Sequence, residues 1–345
     1  MRALLVSPQF PKNMWTYERA LALIKRKSAL PPLSLVTVAA LLPEDWEFKL
    51  IDRNVRPATE AEWDWAEIVL ISAMTTQKQH GYPFCFQTEA SVDLADDPEL
   101  LDLMSVCNFN SVFLGVETPD QASLTAAHKT QNTRRSLDEA VEKITRAGLC
   151  VMGGFIIGFD GEQPGTGERI YDFVERNSIP TTLFSMLQAL PHTALWHRLR
   201  REGRLIGEDG RLNQDTLMNF IPTRPIQEVA SEYVETTWKL YDPCRFMDRT
   251  YRHFLMLGLP RWHPSERIKV KHSWSDIRAL LTMCWRQGVK RKTRWKYWHH
   301  LFSLLRRNPR VAGHYICVSA HIEHFLWYRQ QTRHKIGALV AAGPV

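Results

Sequence analysis

Two glutamates and a cluster of glycines hold most of the chemistry legible in this sequence. Glu89, in Gln87-Thr88-Glu89-Ala90-Ser91, and Glu117, in Gly115-Val116-Glu117-Thr118, each close a short apolar run of strand character. Parallel sheets bind and react at the C-terminal ends of their strands. Two carboxylates placed there can hold a ribose or act as acid and base, or each can simply cap the helix that follows. Gly153-Gly154-Phe155-Ile156-Ile157-Gly158-Phe159-Asp160-Gly161-Glu162 is a third run, ending in glycines and acids. Glycine at a strand end lets a flat ligand reach the backbone, whose amide edges can pair with a base; the same residues also make a tight turn. Gln131-Asn132-Thr133-Arg134-Arg135-Ser136 sets two arginines at a helix start, which suits either an anion or a simple cap by Thr133.

Metal chemistry finds less support. Cys85, Cys107, Cys150, Cys244, Cys284 and Cys317 are so widely spaced that neither a CxxC zinc site nor a CxxxCxxC iron-sulfur triad can be written. They read as free thiols in a reducing compartment. His321 and His324 share one helical face, but Glu323 is the only other ligand type beside them, and no metal is assigned.

The elements that must position these residues follow from periodicity. Ala3 to Ser7, Phe48 to Asp52 and Ile68 to Ser72 are short buried-strand runs, and Leu33 to Leu42 is long enough for a helix. Strand, helix, strand, strand reads as the opening of a doubly wound α/β segment, with Asp52 where such sheets meet a ligand. The next strand, Phe84 to Glu89, starts only about a dozen residues on, across a stretch without helical pattern, and a parallel crossover needs at least that many, usually helical. The two strands are therefore not expected to be parallel neighbours, and a boundary falls near Thr75 to Gly81. Four strand-helix units then follow: Phe84 to Glu89 with Asp97 to Cys107, Ser111 to Glu117 with Arg134 to Ala147, Cys150 to Phe159 with Gly167 to Asn177, and Thr182 to Ala189 with Thr193 to Arg201. That rhythm belongs to a parallel barrel, at half its closed strand number. After a loop-rich stretch from Gly203 to Thr223, helices are expected at Pro225 to Tyr241, Trp274 to Arg286, Trp295 to Arg307 and Val311 to Gln331.

Charge separates the last quarter from the rest. Arg245 to Lys335 contains 20 Lys or Arg and 4 Asp or Glu, whereas the net charge of the whole chain is only +7. Lys290 to Lys296 with Trp298 and the Arg306-Arg307 pair resembles an interfacial helix, with Trp at headgroup level and cations on lipid phosphates; the alternative is a solvated face packed by Trp onto the barrel. Nucleic acid is not expected, since no reader motif accompanies the charge. No apolar run reaches the ~20 residues of a membrane span, and the short apolar start after Arg2 reads as a strand rather than a leader. The expected location is the cytoplasm, with contact to the inner membrane at most peripheral.

Taken together, TEASVDLADDPELLDLM (Thr88 to Met104), FLGVETPD (Phe113 to Asp120), QNTRRSL (Gln131 to Leu137), GGFIIGFDGE (Gly153 to Glu162) and MLQALPHTALWHRL (Met186 to Leu199) resemble the cobalamin-binding-domain radical S-adenosylmethionine proteins, in the branch of hopanoid C-2 methylase-like and bacteriochlorophyll-methylating enzymes. The resemblance covers most of the chain. It implies a corrinoid on the N-terminal segment, S-adenosylmethionine on the barrel rim beside a four-iron cluster, and radical methyl transfer to unactivated carbon of a hydrophobic or lipid substrate. Carried over by position, the S-adenosylmethionine contacts are Glu89, Gly115, Glu117, Gly154, Ile156, Gly158 and Asp160, with Glu162 one place late for the GxIxGxxE pattern.

Two departures from the family qualify that expectation. The cluster-binding CxxxCxxC is missing, and so are the strands and helices that members place between the positions of Met74 and His80, where the awkward strand join also falls. An internal deletion is expected, leaving an α/β chain with three parts: residues 1–77, a partial cobalamin-binding Rossmann-like segment; 78–222, a partial radical S-adenosylmethionine barrel; and 223–345, a basic, Trp-rich helical extension. Residues 1–77 contain no histidine to serve as a lower axial ligand. The expected outcome is a family member inactive by itself, or else a non-catalytic module held to a lipid or membrane surface by its C-terminal helices. Unpaired sheet edges would favour oligomers.

Overall fold

The structure is a computed structural model that describes residues 1–7, 17–28, 32–43, 45–71, 86–120, 136–206, 216–259 and 274–342. Gln131 to Arg135, Ser72, Phe84, Cys85, the boundary expected at Thr75 to Gly81 and residues 207–215 lie outside them. Two compact units are present, Met1–Pro83 with Pro264–Thr282, and Phe84–His263 with Met283–Val345.

The first unit is built on a parallel sheet of β1 (Arg2–Ser7), β2 (Glu47–Asp52) and β3 (Ile68–Ile71) in the order β2-β1-β3. Ala3, Leu4, Leu5 and Val6 are all buried, as an uninterrupted apolar run in a central parallel strand requires. Leu4, Val6 and Ile51 form its core, with Ala58 and Ala66 against them. Helices α1 (Glu18–Leu23) and α2 (Leu33–Leu41) connect β1 to β2, and α3 (Glu60–Trp65) connects β2 to β3. Thr59 and Glu62 close α3 with a capping box, and Arg56 binds Glu62 through both terminal nitrogens, at 2.9 and 2.6 Å. Val36, Val38 and Leu41 on α2, Leu50 on β2 and Val69 on β3 stay exposed.

The second unit contains a parallel sheet in strict sequence order, β4 (Phe86–Ala90), β5 (Phe109–Glu117), β6 (Cys150–Ile157) and β7 (Thr181–Met186). β3 and β4 thus belong to different sheets, as the short join between them demanded. Helices follow each strand: α4 (Pro98–Val106), α5 (Leu137–Arg146), α6 (Thr166–Arg176) and α7 (Ala194–Arg201). Their starts are set by local chemistry. Asp97, Ser136 and Thr193 each accept the backbone N–H three residues on, and Pro98 occupies the first turn of α4.

Alternation along β5 to β7 divides the sheet into two faces. Val112, Leu114 and Val116, then Val151, Phe155 and Ile157, then Phe184 and Met186 are buried, and Phe155 packs edge-on against Phe173 of α6. The opposite face carries Phe113, Gly115, Met152, Gly154, Ile156, Leu183 and Ser185, and apart from the buried Gly154 these are only half-buried. α8 (Ile226–Leu240) then packs along β7. The Tyr233 hydroxyl donates to the Phe184 carbonyl at 3.2 Å and the Tyr241 hydroxyl to that of Thr182, so two side chains satisfy the outward carbonyls of an edge strand.

α9 (Pro243–Met256) is not among the helices expected from the sequence; its core side mixes the buried apolar Phe246, Met247 and Phe254 with the buried polar Arg249, Thr250 and His253. Arg249 reaches Glu175 at 2.5 Å and the Leu240 carbonyl at 2.7 Å, which is how a buried guanidinium is tolerated. α10 (Trp274–Trp285) ends in a π-turn at Arg286–Lys290, and α11 (Arg294–Arg307) follows. Val311 to Gln331, expected as one helix, is two: α12 (Ala312–Ala320) and α13 (Ile322–Ala342), broken at His321.

Candidate functional site

The C-terminal ends of β4, β5 and β6 gather most of the residues that the sequence singles out. Registers pair Glu89 with Phe113, Gly115 with Gly154, and Ile156 with Ser185. Glu89, Phe113, Gly115, Gly154 and Ile156 therefore share the sheet face away from the helices. Glu117 joins them through an irregularity. The ladder slips between Gly115 and Glu117, and Glu117 takes a left-handed backbone at φ 65°. This folds its carboxylate back beside Gly115, where Oε1 lies 3.1 Å from the position a Cβ would occupy.

Gly154 does admit a flat group, but that group is the protein's own. A Cβ at Gly154 would sit 2.6 Å from Cζ of Phe113, so the glycine exists to let the Phe113 ring lie on the strand. The half-buried ring is thereby fixed between the two glycine-bearing strands, beside Gly115 and Glu117. Sequence reading passed over Phe113, Met152, Leu183 and Ser185; only the strand register shows that they share this face.

Gly158 and Asp160 stand apart from it. Gly158 is left-handed at φ 103° and buried, and a Cβ would meet the Met218 methyl at 2.7 Å, so glycine is required on both counts. Its N–H donates to Glu162 Oε2 at 2.8 Å. Asp160 is engaged by Arg198 at 2.8 Å and by Arg204 at 2.6 Å, ion pairs that tie the turn after β6 to α7 and to the chain beyond it. Partial burial pushes the Asp160 carboxyl up, but the Arg204 bonds and the two guanidinium charges outweigh it and hold it below the usual range.

Behind that turn lies a buried network that the glycine motif did not reveal. Glu162 is 2% exposed, its Oε1 has no hydrogen-bond partner among the described residues, and Arg224 is 3.8 Å from its Oε2. Burial drives the Glu162 carboxyl up to about 7; the Gly158 N–H and the Arg224 charge counter it only in part, and Glu232 adds to it. Glu232 behaves oppositely. Burial raises it, yet Arg224 at 2.5 Å and the Gly165 and Gly167 amides bring it below its ordinary value.

No group of three potential metal ligands occurs among the described residues. Cys107, Cys150, Cys244, Cys284 and Cys317 form no disulfide with one another and sit on separate elements. Burial pushes the Cys150 thiol up to about 12, with Cys317 adding to the shift, which is the wrong direction for a thiolate ligand. The donor set among the described residues does not suit a four-iron cluster. Of the pair considered for a metal, His324 is buried and His321 half-buried, both in the helical layer among aromatic rings.

Comparison with known proteins gives the family. Residues 193–338 match a domain of unknown function, DUF4070. An uncharacterized methyltransferase of Synechocystis is 40% identical, the match covering 98% of this chain and 94% of that protein. The alignment runs over 504 residues, more than the 345 present here, so a long stretch of that relative has no counterpart in this chain. Hopanoid C-2 methylase of Rhodopseudomonas palustris is 31% identical over 74% of this chain, and bacteriochlorophyllide d C-8(2)-methyltransferase of Chlorobaculum tepidum 23% identical over 58%. The matches span 47% and 45% of those two proteins, about half their length. This chain belongs to the cobalamin-binding-domain radical S-adenosylmethionine family, in the branch that holds the hopanoid and bacteriochlorophyllide methylases.

Proposed function

We propose that the chain retains the S-adenosylmethionine-binding face of a family methylase without the means to cleave that cofactor by itself. The observation that carries this reading is the meeting of Glu89, Gly115, Glu117, Gly154 and Ile156 on one open sheet face at the C-terminal strand ends. Phe113, braced on Gly154, is the surface on which the adenine stacks, and the Glu117 and Glu89 carboxylates accept hydrogen bonds from ribose hydroxyls. S-adenosylmethionine, when bound, supplies a methyl group or, with an electron, a deoxyadenosyl radical. The chain's own residues bind and orient it, and with no thiolate set for a cluster no radical step is assigned to them.

In this reading the four-stranded sheet is the rear of the family barrel, and the three-stranded sheet is the front of a corrinoid-binding Rossmann-like segment, whose strand ends at Ser7 and Asp52 would face the corrinoid. The residues between were lost in one internal deletion. Three observations support it: the alignment longer than the chain, the change of sheet between β3 and β4, and the apolar residues left exposed on α2, β2 and β3. The substrate class inherited from the branch is a hydrophobic polycyclic or lipid-like molecule.

Two measurements test the proposal. Equilibrium dialysis should show S-adenosylmethionine bound to the wild type and lost on Gly154→Val, which displaces the Phe113 ring; no binding by the wild type refutes the retained face. Iron and sulfide analysis after anaerobic reconstitution should find essentially none. About four irons per chain would overturn the loss of cleavage.

A further inference from the structure

We infer that the outward face of α11 is a seat for an anionic lipid bilayer. On a helix, positions three and four apart share a face. Trp295, Trp298, His299, Phe302, Leu305 and Arg306 fall within about a third of the helical circumference, opposite the buried Tyr297, His300, Leu301 and Leu304. Trp295 is 74% and Phe302 62% exposed. The rings are held in place: Trp298 stacks on Phe302 at 5.7 Å, and its Nε1–H donates to the Gly288 carbonyl at 2.9 Å.

Charge around this apolar stripe has one sign. Residues 283–322 contain nine Lys or Arg and no Asp or Glu. Arg286 and Arg291 are matched by Glu323, and Lys296 by Asp248. The other six, Lys290, Lys292, Arg294, Arg306, Arg307 and Arg310, meet no carboxylate among the described residues. His299, Phe302, Ser303, Arg306 and Arg307 line a groove there, with the donors to hold a phosphate.

An aromatic and aliphatic stripe rimmed by an excess of unmatched cations is complementary to an apolar layer under anionic phosphates. A second copy of the same face would set cation against cation, which argues against a two-fold dimer. No helix among the described residues is long and apolar enough to cross a membrane, so the contact lies in the plane of the interface. The inference does not depend on S-adenosylmethionine binding, and it fits a hydrophobic substrate that resides in lipid.

Flotation of the full chain with vesicles tests it. Binding is expected to vesicles with about a third phosphatidylglycerol and to be at least tenfold weaker to phosphatidylcholine alone or at about 0.5 M salt. Arg306→Glu with Arg307→Glu should weaken it at least a hundredfold, about fivefold for each of four charge units. Trp295→Ser with Phe302→Ser should weaken it about tenfold. All four side chains are exposed, so an unchanged thermal midpoint shows that the variants fold. Millimolar inorganic phosphate should not release the protein. The inference is overturned by equal binding to neutral vesicles, by indifference to these substitutions or by release with phosphate alone. A concentration-dependent dimer dissolved by the Trp295 and Phe302 changes, or displacement of the vesicles by an oligonucleotide, would equally overturn it.

Discussion

Glu162→Gln should remove a pH dependence that the wild type carries. The carboxyl is buried under the turn after β6 and titrates at about 7 instead of its ordinary 4.5, principally because burial disfavours its charge. A raised folded-state value means that the native protein holds a proton which the unfolded chain has already released. Stability from this group is complete below pH 4.5, falls as pH rises and is gone above pH 7; the shift corresponds to about 3 kcal/mol. Glutamine keeps an oxygen to accept the Gly158 N–H and cannot ionise, while Arg224 keeps Glu232 at 2.5 Å. Urea unfolding of both proteins at intervals from pH 4 to 9, followed by far-ultraviolet circular dichroism, gives the difference directly. Asp160, Glu232 and the other titrating groups are common to both and cancel. The difference should favour the wild type at the acid end relative to the alkaline end by about 3 kcal/mol, with the change between pH 4.5 and 7. Parallel profiles would refute the reasoning, since they would mean that Glu162 ionises as readily in the fold as in water.

Further expectations concern the sheet face and the helical layer. Phe113→Ala should weaken S-adenosylmethionine binding by about tenfold in equilibrium dialysis, the stacking contribution of one ring, and leave the thermal midpoint less affected than a fully buried Phe would. Asp160→Asn should cost about 1–2 kcal/mol by releasing Arg198 and Arg204, and because the Asp160 value is lowered, the deficit should be full at neutral pH and shrink only below pH 3.8, as pH falls towards the lowered folded value, which a denaturation series from pH 7 down to about pH 2 would show. Arg249→Ala should cost about 3–5 kcal/mol by leaving Glu175 with a half-empty site, whereas Arg249→Met with Glu175→Gln should recover much of it, measured as a double-mutant cycle.

The elements of this protein were determined by sequence wherever one local rule sufficed. The uninterrupted apolar run Ala3 to Val6 has to be a buried parallel strand, and the helix starts at Asp97 and Thr193 are legible before any tertiary contact is known, whereas the helix expected from Arg134 begins at Leu137 with Ser136 as its cap. The spacing of six cysteines already excludes a cluster motif, and the short join after Ile71 already separates two sheets. What tertiary structure alone decided is which of the marked residues meet. Glu117 reaches the candidate face through a ladder slip and a left-handed residue, which no spacing rule encodes. Asp160, at the end of the glycine-bearing run that starts in β6, is taken by two arginines from 38 and 44 residues away. Phe113 owes its role to a glycine on the neighbouring strand, and the buried Arg249 of α9 is tolerated only because Glu175 and the Leu240 carbonyl, on other elements, meet it. The physical reason is the same throughout. Periodicity reports which side of an element avoids water, whereas a site is made by side chains from separate elements, and their meeting depends on register, on backbone irregularity and on polar groups finding distant partners.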